Sequence, residues 1–484
     1  MNRAAFQTTI ALAAAMMLLW ASSTLAGART LYSDDGLSEV SVPGERWLVR
    51  PHVGRTAALR VSDTQGDSVL VVNTYLPDEL EPMSLDKLSN KLSTRLMDDL
   101  RDGRMSPARK LTLHGRPAME YEMSGFDGDT RFTYLSTVVE GKSAKHHLIA
   151  WMPEASYKAT PNLLREVFSS FRESAKPRPA KARIDLEFNW PLKGESKFSY
   201  ASKRVKRGDV LEMKGSGTTS WRPLGENQLL VSTQATDFKM TSNDKNKNKD
   251  QKKEDYMQNL LQQAMSQIPD YVVSTEGDFI RIENMGPYYE RFEKALLQGL
   301  PGDGDEAQAK AKQLMKNLIS EETLRASLED DWNSNVYNWT GGSYLPGETY
   351  TYFTQYQAAA LGDTLFPMTL TQQLTGSVAC HANDKNQSCV RLVHTTRVSD
   401  PSFTQAMHQF VVKTVQDMAG ADGKNIKLSI DSAEVVKTLT LVVDPETMMP
   451  YEENESSITT TVISESGRSE TVQDINESST HYTY

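Results

Sequence analysis

The sequence predicts an α+β protein of two domains: an antiparallel sheet with covering helices, followed by a larger β-rich domain of antiparallel strands with an inserted helical region. Three observations carry this expectation. Strand-like alternation recurs along most of the 484 residues, two amphipathic helices bracket an early run of strands, and a basic, proline-broken stretch interrupts the chain after about its first third. With 38 % apolar residues and roughly 150 residues per domain as a guide, each part has enough material for its own core.

In the first domain, extended runs at 46–50, 57–61 and 68–75 precede a helix opened by Ser84, an N-cap residue type. Leu85, Leu88, Leu92, Leu96 and Leu100 recur at steps of three and four and form one apolar stripe, which Asp102-Gly103 ends. Four extended segments follow, 110–114, 118–124, 131–139 and 146–151, separated by Gly115, Asp127-Gly128-Asp129 and Gly141. That spacing is a meander. A second helix starts at Thr160 with Pro161 in its first position and buries Leu163, Leu164, Val167, Phe168 and Phe171.

Pro43-Gly44-x-x-Trp47, the run Leu113-His114-Gly115-Arg116-Pro117-Ala118 and the closing Phe168-Ser169-Ser170-Phe171 resemble the PsbP/DcrB-like family. The resemblance covers residues 29–174 and implies an α+β sandwich. It also implies an extracytoplasmic accessory or binding domain rather than an enzyme, and it brings no catalytic residues.

Residues 175–183 alternate proline with Lys and Arg and read as a linker. Beyond it, 184–484 alternates at 184–188, 198–200, 229–238, 390–398, 426–430 and 439–443, with an apolar-free exposed loop at 243–253. The helical insert is expected over about 254–332. One stripe there holds Tyr256, Leu260, Leu261, Ala264, Met265 and Ile268, a second Phe292, Ala295, Leu296 and Leu300. After a turn at 299–305, further helices follow at 307–319 and at 321–332, the latter with Leu324, Leu328 and Trp332. Asp400-Pro401 opens a last helix through Phe403, Met407, Phe410, Val411 and Met418, and a final hairpin turns at Ser466-Gly467. The turn Asp444-Pro445-Glu446-Thr447-Met448-Met449-Pro450 is similar to one found in LolA/LolB-like half-barrel proteins, with Met448 where that pattern has glycine. This resemblance implies a curved sheet with helices over its concave face, a shape able to hold an apolar ligand.

Arg3, the apolar run 10–20 and the small residues that follow form a secretory signal peptide over 1–28, with cleavage expected after Ala26 or Ala28. An uncleaved anchor would need a longer apolar stretch. Periplasmic or secreted placement follows, and in an oxidising compartment Cys380 and Cys389 are expected to form one disulfide. A redox pair, or a metal site using His381, would call for CxxC spacing or a second histidine at ligand spacing, and the sequence has neither.

A net charge of −10 disfavours nucleic acid and anionic lipid surfaces. No GxSxG, HExxH, GxxxxGK[ST] or GxGxxG motif is present. His146 and His147 fall at adjacent strand positions and point to opposite faces, one into the core and one into solvent. Asp127-Gly128-Asp129 and Asp303-Gly304-Asp305-Glu306 read as acidic turns, and Glu329-Asp330-Asp331 as carboxylates facing different ways around a helix beside Trp332. Most of the 20 methionines read as core filler. No catalytic, metal or cofactor residues are therefore assigned. The expected function is non-catalytic binding or scaffolding in the cell envelope, with an unknown envelope protein or an apolar ligand as partner. The second reading is a periplasmic carrier of a lipid or other apolar ligand in the C-terminal domain, and the third an envelope hydrolase. Free-thiol titration of denatured, unreduced protein checks the compartment: no reactive thiol is expected, and two would contradict the disulfide.

Overall fold

The computed structural model describes residues 28–53, 57–64, 68–243, 268–297, 321–358, 361, 364–381, 388–419, 428–465 and 468–484. Ala26, the stripe from Tyr256 to Met265, the 299–305 turn, the 307–319 helix, most of the 243–253 loop and the Ser466-Gly467 turn lie outside them, and Ala28 opens the first strand. Two compact units result, Met1–Arg183 and Ile184–Tyr484. No helix among the described residues is long and apolar enough to cross a membrane.

The first unit is built on an eight-stranded sheet in the order Trp47–Val49, Ala57–Asp63, Val69–Tyr75, Lys145–Pro153, Thr130–Glu140, Arg116–Asp127 and Arg101–Met105. Arg109–Leu113 also pairs with Arg116–Asp127. Every pairing is antiparallel. Leu70, Val72, Leu135, Leu148 and Ala150 point to one face and meet Leu164, Phe168 and Phe171 of the closing segment. The other face is covered by the helix Leu85–Asp98, through Leu88, Ser89 and Ser93. Ser84 Oγ accepts its cap bond from the Lys87 amide.

Three local expectations are corrected here. The first helix stops at Asp98 rather than at Asp102-Gly103, because Arg101–Met105 joins the edge of the sheet and its backbone groups pair with Arg116–Asp127 instead of continuing the helix. The second helix is two short ones, Glu154–Ala159 and Leu163–Ser169. Thr160 precedes Pro161, a position that disfavours helical backbone, and it ends the first helix instead of starting the second. His146 and His147 do point to opposite faces, but both are buried, at 0 % and 2 % exposure, because helical or loop structure covers both sides of the strand.

The 175–183 stretch is exposed, as its composition suggests, yet it is not a free tether. Pro177 and Pro179 leave few donors, and two of the remaining ones are used: Arg178 N–H bonds Gly36 O at 3.1 Å and Lys181 N–H bonds Asp34 O at 2.9 Å. Arg183 pairs with Asp34, and the Arg178 guanidinium sits over the Tyr32 ring. Gly36, at φ +72°, is required because a Cβ there would run into the Arg178 backbone.

The second unit is a twelve-stranded antiparallel sheet. Its order is Phe279–Ile282, Tyr271–Ser274, Gln228–Ala235, Asp209–Pro223, Gly194–Lys206, Arg468–Thr483, Pro450–Glu465, Leu428–Val443, Cys389–Val398, Leu365–Val378 and Thr349–Gln357, with Lys239–Ser242 paired beside Asp209–Pro223. The helical insert is thus interrupted. Tyr271–Ser274 and Phe279–Ile282 form a hairpin on the sheet edge, as β-branched Val272 and Val273 followed by Gly277 favour. Within the insert, Met285–Leu297 and Glu321–Trp332 are helices. Pro401–Ala419 packs on the far part of the sheet through Phe403, Phe366, Val398 and Ile430, and Asp400 Oδ1 caps its start. Cys380 and Cys389 are joined as a disulfide.

Burial keeps His147 neutral and pushes its pKa down to about 3. The unfolded chain therefore takes up a proton that the folded one refuses, and stability is lost as pH falls below about 6.5. In denaturant titrations, His147→Gln should reduce the loss of stability between pH 7 and pH 4 by on the order of 2–3 kcal/mol. An unchanged pH dependence would contradict the assignment.

Candidate functional site: a cavity lined by aromatic rings and carboxylates

Because side chains alternate along a strand, the pairing register fixes which residues of the second unit share its inner face. Tyr200 stands opposite Thr480, Thr480 opposite Glu453 and Glu453 opposite Leu441. One step along, Ser202, Ser478, Glu455 and Leu439 form the parallel row, and Phe198 faces Tyr482. The helix Glu321–Trp332, continued by a π-helical turn at Asn333–Tyr337, lies across these rows. Between helix and sheet is a cavity of about 470 Å³, within the roughly 300–1,000 Å³ range of small-molecule sites.

Aromatic rings hold the helix there. Trp332 packs against Phe188, Trp190 and Tyr271 with ring centroids 5.8, 5.6 and 5.9 Å apart, and Trp190 leans on Trp221 at 4.8 Å. Trp332 Nε1 donates to Gly277 O at 2.7 Å and Trp221 Nε1 to Pro191 O at 2.8 Å. Gly277, at φ +97°, makes the hairpin turn that presents this carbonyl. Met448 closes one wall: it is 1 % exposed, lines the cavity and adopts φ +59°. The turn thus takes the left-handed backbone that its resemblance associates with glycine. The strain, on the order of 1–2 kcal/mol for a non-glycine residue, is offset by burying the Met448 side chain, about 1.5–3 kcal/mol.

The same chamber contains carboxylates. Asp331, Glu453 and Glu455 line it. Lys437 Nζ pairs with Glu455 at 3.2 Å, and Tyr482 donates to Glu453 Oε2 at 3.3 Å. Asp331 lines the cavity and is exposed, whereas Glu453 and Glu455 are half-buried. Desolvation raises the Asp331 carboxyl above the usual carboxylate range, with Glu455 and Asp330 adding to the shift and Lys437 opposing it. Desolvation likewise raises Glu453, reinforced by Asp331 and Glu455. Asp331 and Glu453 titrate as an interacting pair that resists full ionisation. Tyr271 and Tyr482, buried beside them, are also raised. Two polar atoms of lining residues, Asn335 Oδ1 and Trp190 Nε1, are buried without a hydrogen-bond partner.

Sequence reasoning missed this site. Glu329-Asp330-Asp331 was expected to diverge around the helix, yet Asp331 and the neighbouring Trp332 both line the cavity, at the point where the α-helix passes into the π-helical turn. The one available signal was the alternation of Glu453 and Glu455 in a strand, which places two acids on one face. On the opposite face of the same strands, Lys203, Thr440 and Asn454 border only an open depression.

Elsewhere, Ser93 Oγ, Ser136 Oγ and His147 Nε2 form a chain with successive distances of 2.8 Å. It has a nucleophile and a base at hydrogen-bond distance, but all three residues are sealed in the core of the first unit. Cys380 and Cys389 lie with Val442 in a separate small cluster. Among the described residues no group of three or more His, Cys, Asp or Glu is arranged to hold a metal ion.

The raised carboxyl pKa values mean that the folded protein binds protons the unfolded chain releases, so their contribution to stability declines as pH rises above about 4.5. Glu453→Gln removes the cost of ionising this group. It should be close to neutral at pH 5 and stabilising by about 1 kcal/mol or more at pH 8, measured as the denaturant midpoint at each pH. Destabilisation that grows toward pH 8 would contradict the assignment.

No family model matches the chain and no curated protein matches it. Several solved structures are similar, among them the following three. The solution structure of cyanobacterial PsbP from Synechocystis sp. PCC 6803 is 16 % identical over 31 % of this chain and 94 % of its own, at a TM-score of 0.27. A Bacteroides thetaiotaomicron crystal structure is 10 % identical over 34 % of this chain and 53 % of its own, at 0.24. A Pseudomonas aeruginosa protein of unknown function is 10 % identical over 32 % and 99 %, at 0.20. The LolA/LolB-like resemblance of the C-terminal unit gains no support from these comparisons.

Proposed function

We propose that the protein is an exported, non-catalytic binding protein of the cell envelope and that its C-terminal unit carries a lipid or other apolar ligand. The observation that supports this reading is the cavity of about 470 Å³ between the Glu321–Trp332 helix and the sheet, whose lining includes Trp190, Phe198, Trp221, Tyr271, Trp332 and Tyr482 among polar residues. A chamber of this size with aromatic walls gains free energy when an apolar body displaces its water, roughly 25 cal/mol for each Å² of apolar surface removed. The first unit supplies no comparable chamber among the described residues. Its buried Ser93, Ser136 and His147 are out of reach of a substrate, so the reading assigns it a role as a binding or scaffolding module. The leader at 1–28 and the cysteine pair are the grounds for placing the protein in the periplasm or outside the cell.

Native mass spectrometry of mature protein purified without detergent tests the reading. An adduct of lipid-like mass is expected, lost on solvent extraction and absent when Trp332→Ala removes the ring that holds the helix off the sheet. Protein that is free of any adduct, and that takes up no apolar molecule when offered one, would contradict it.

A further inference from the structure

We infer that the cavity selects amphiphiles whose buried head is a protonated amine. This rests on the proposed carrier function and specifies its ligand class. The charges facing the chamber carry the inference. Glu455 has its partner in Lys437. Glu453 accepts from the neutral Tyr482 hydroxyl, and Asp331 makes no hydrogen bond or ion pair among the described residues, so the positive charge that reaches these two carboxyls is that of Lys437, already paired with Glu455. Asp330 on the same helix adds negative potential. His394, on the strand beyond Leu439, is buried and neutral at pH 7. The chamber therefore holds more acid than base.

Each class of head group meets that imbalance differently. A carboxylate or phosphate head would be repelled by the negative charge of the Asp331 and Glu453 pair, which is only partly ionised at pH 7. A hydroxyl head supplies no positive charge to complete that ionisation. An ammonium head pairs with Asp331 and Glu453 and can donate to the partnerless Asn335 Oδ1. It also lies among Trp190, Trp332, Tyr271 and Tyr482, whose ring faces attract cations. The apolar tail then occupies the wall formed by Phe198, Trp221 and Leu441. An organic cation fits better than a metal ion, since no three acids converge at ligating geometry among the described residues.

The test uses the full mature chain and three probes of equal tail length: dodecylamine, dodecanol and dodecanoate, each below its aggregation concentration and followed by tryptophan fluorescence at pH 7. The expected order is amine, then alcohol, then carboxylate, with the amine favoured over the alcohol by on the order of tenfold. Asp331→Asn and Glu453→Gln should each shrink the amine-to-alcohol ratio toward one, an effect that for Glu453→Gln grows as pH rises from 7 toward 9, while an unchanged denaturant midpoint at pH 5 reports an intact fold. Lys437→Gln, which releases Glu455, should widen the ratio. Equal binding of amine and alcohol, or a preference for the carboxylate, overturns the inference and leaves the carrier reading standing. Failure of all three probes to bind overturns both.

Discussion

A helix laid on a sheet leaves an enclosed space only if something holds it off the surface, and in the C-terminal unit that spacer is a cluster of aromatic rings. Trp332, at the end of its helix, is fixed by its indole hydrogen bond to the Gly277 carbonyl and by contact with Phe188, Trp190 and Tyr271. Those rings are too bulky to let the Glu321–Trp332 helix settle onto the strands. The cavity, the desolvation of Asp331 and Glu453, and the burial of Tyr482 all follow from that separation. The hairpin Tyr271–Ile282 matters to the unit because it supplies both Tyr271 and the carbonyl that anchors Trp332.

The first unit is built on the opposite plan. Both faces of its central strands are covered, so that even adjacent His146 and His147 are buried. Some of its polar core groups satisfy one another, as in the Ser93, Ser136 and His147 chain, where burial holds the histidine neutral. Ser38 Oγ, Trp47 Nε1 and His146 Nε2 are buried without a hydrogen-bond partner, with no described cavity beside them. A polar network that is closed on itself rigidifies a core. One that is left open in a cavity, as with Asp331, Glu453 and Asn335, is where a ligand can complete the pairing. The two units thus use similar residue types for different ends, decided by whether space is left beside them.

Much of the first unit was legible in the sequence because neighbouring strands within 47–75 and within 109–153 pair in chain order, with one crossover where Val69–Tyr75 meets Lys145–Pro153. The four meander strands are joined by short Gly- and Asp-containing turns, so local alternation and turn chemistry were sufficient. The long helix was legible from Ser84 and its leucine stripe. Its end was not, since Arg101–Met105 is drawn into a sheet edge that no local signal reveals. The cavity was least legible, because Tyr200, Thr480, Glu453 and Leu441 become neighbours only through the register of long strands far apart in sequence. The 452–457 run, Glu-Glu-Asn-Glu-Ser-Ser, reads as a solvated strand. In the fold it presents Glu453 and Glu455 inward, where their cost is borne by aromatic burial around them.

These features describe a C-terminal unit organised around a partly open cavity whose polar groups are only partly satisfied by the protein. The most direct measurement is a crystal structure of the full mature chain purified without removal of bound lipid. The account expects elongated density between the Glu321–Trp332 helix and the sheet, its polar end within hydrogen-bond distance of Asp331 or Glu453. A collapsed interface with the Trp332 ring filling the space, or a chamber holding only ordered water in every crystal, would contradict it.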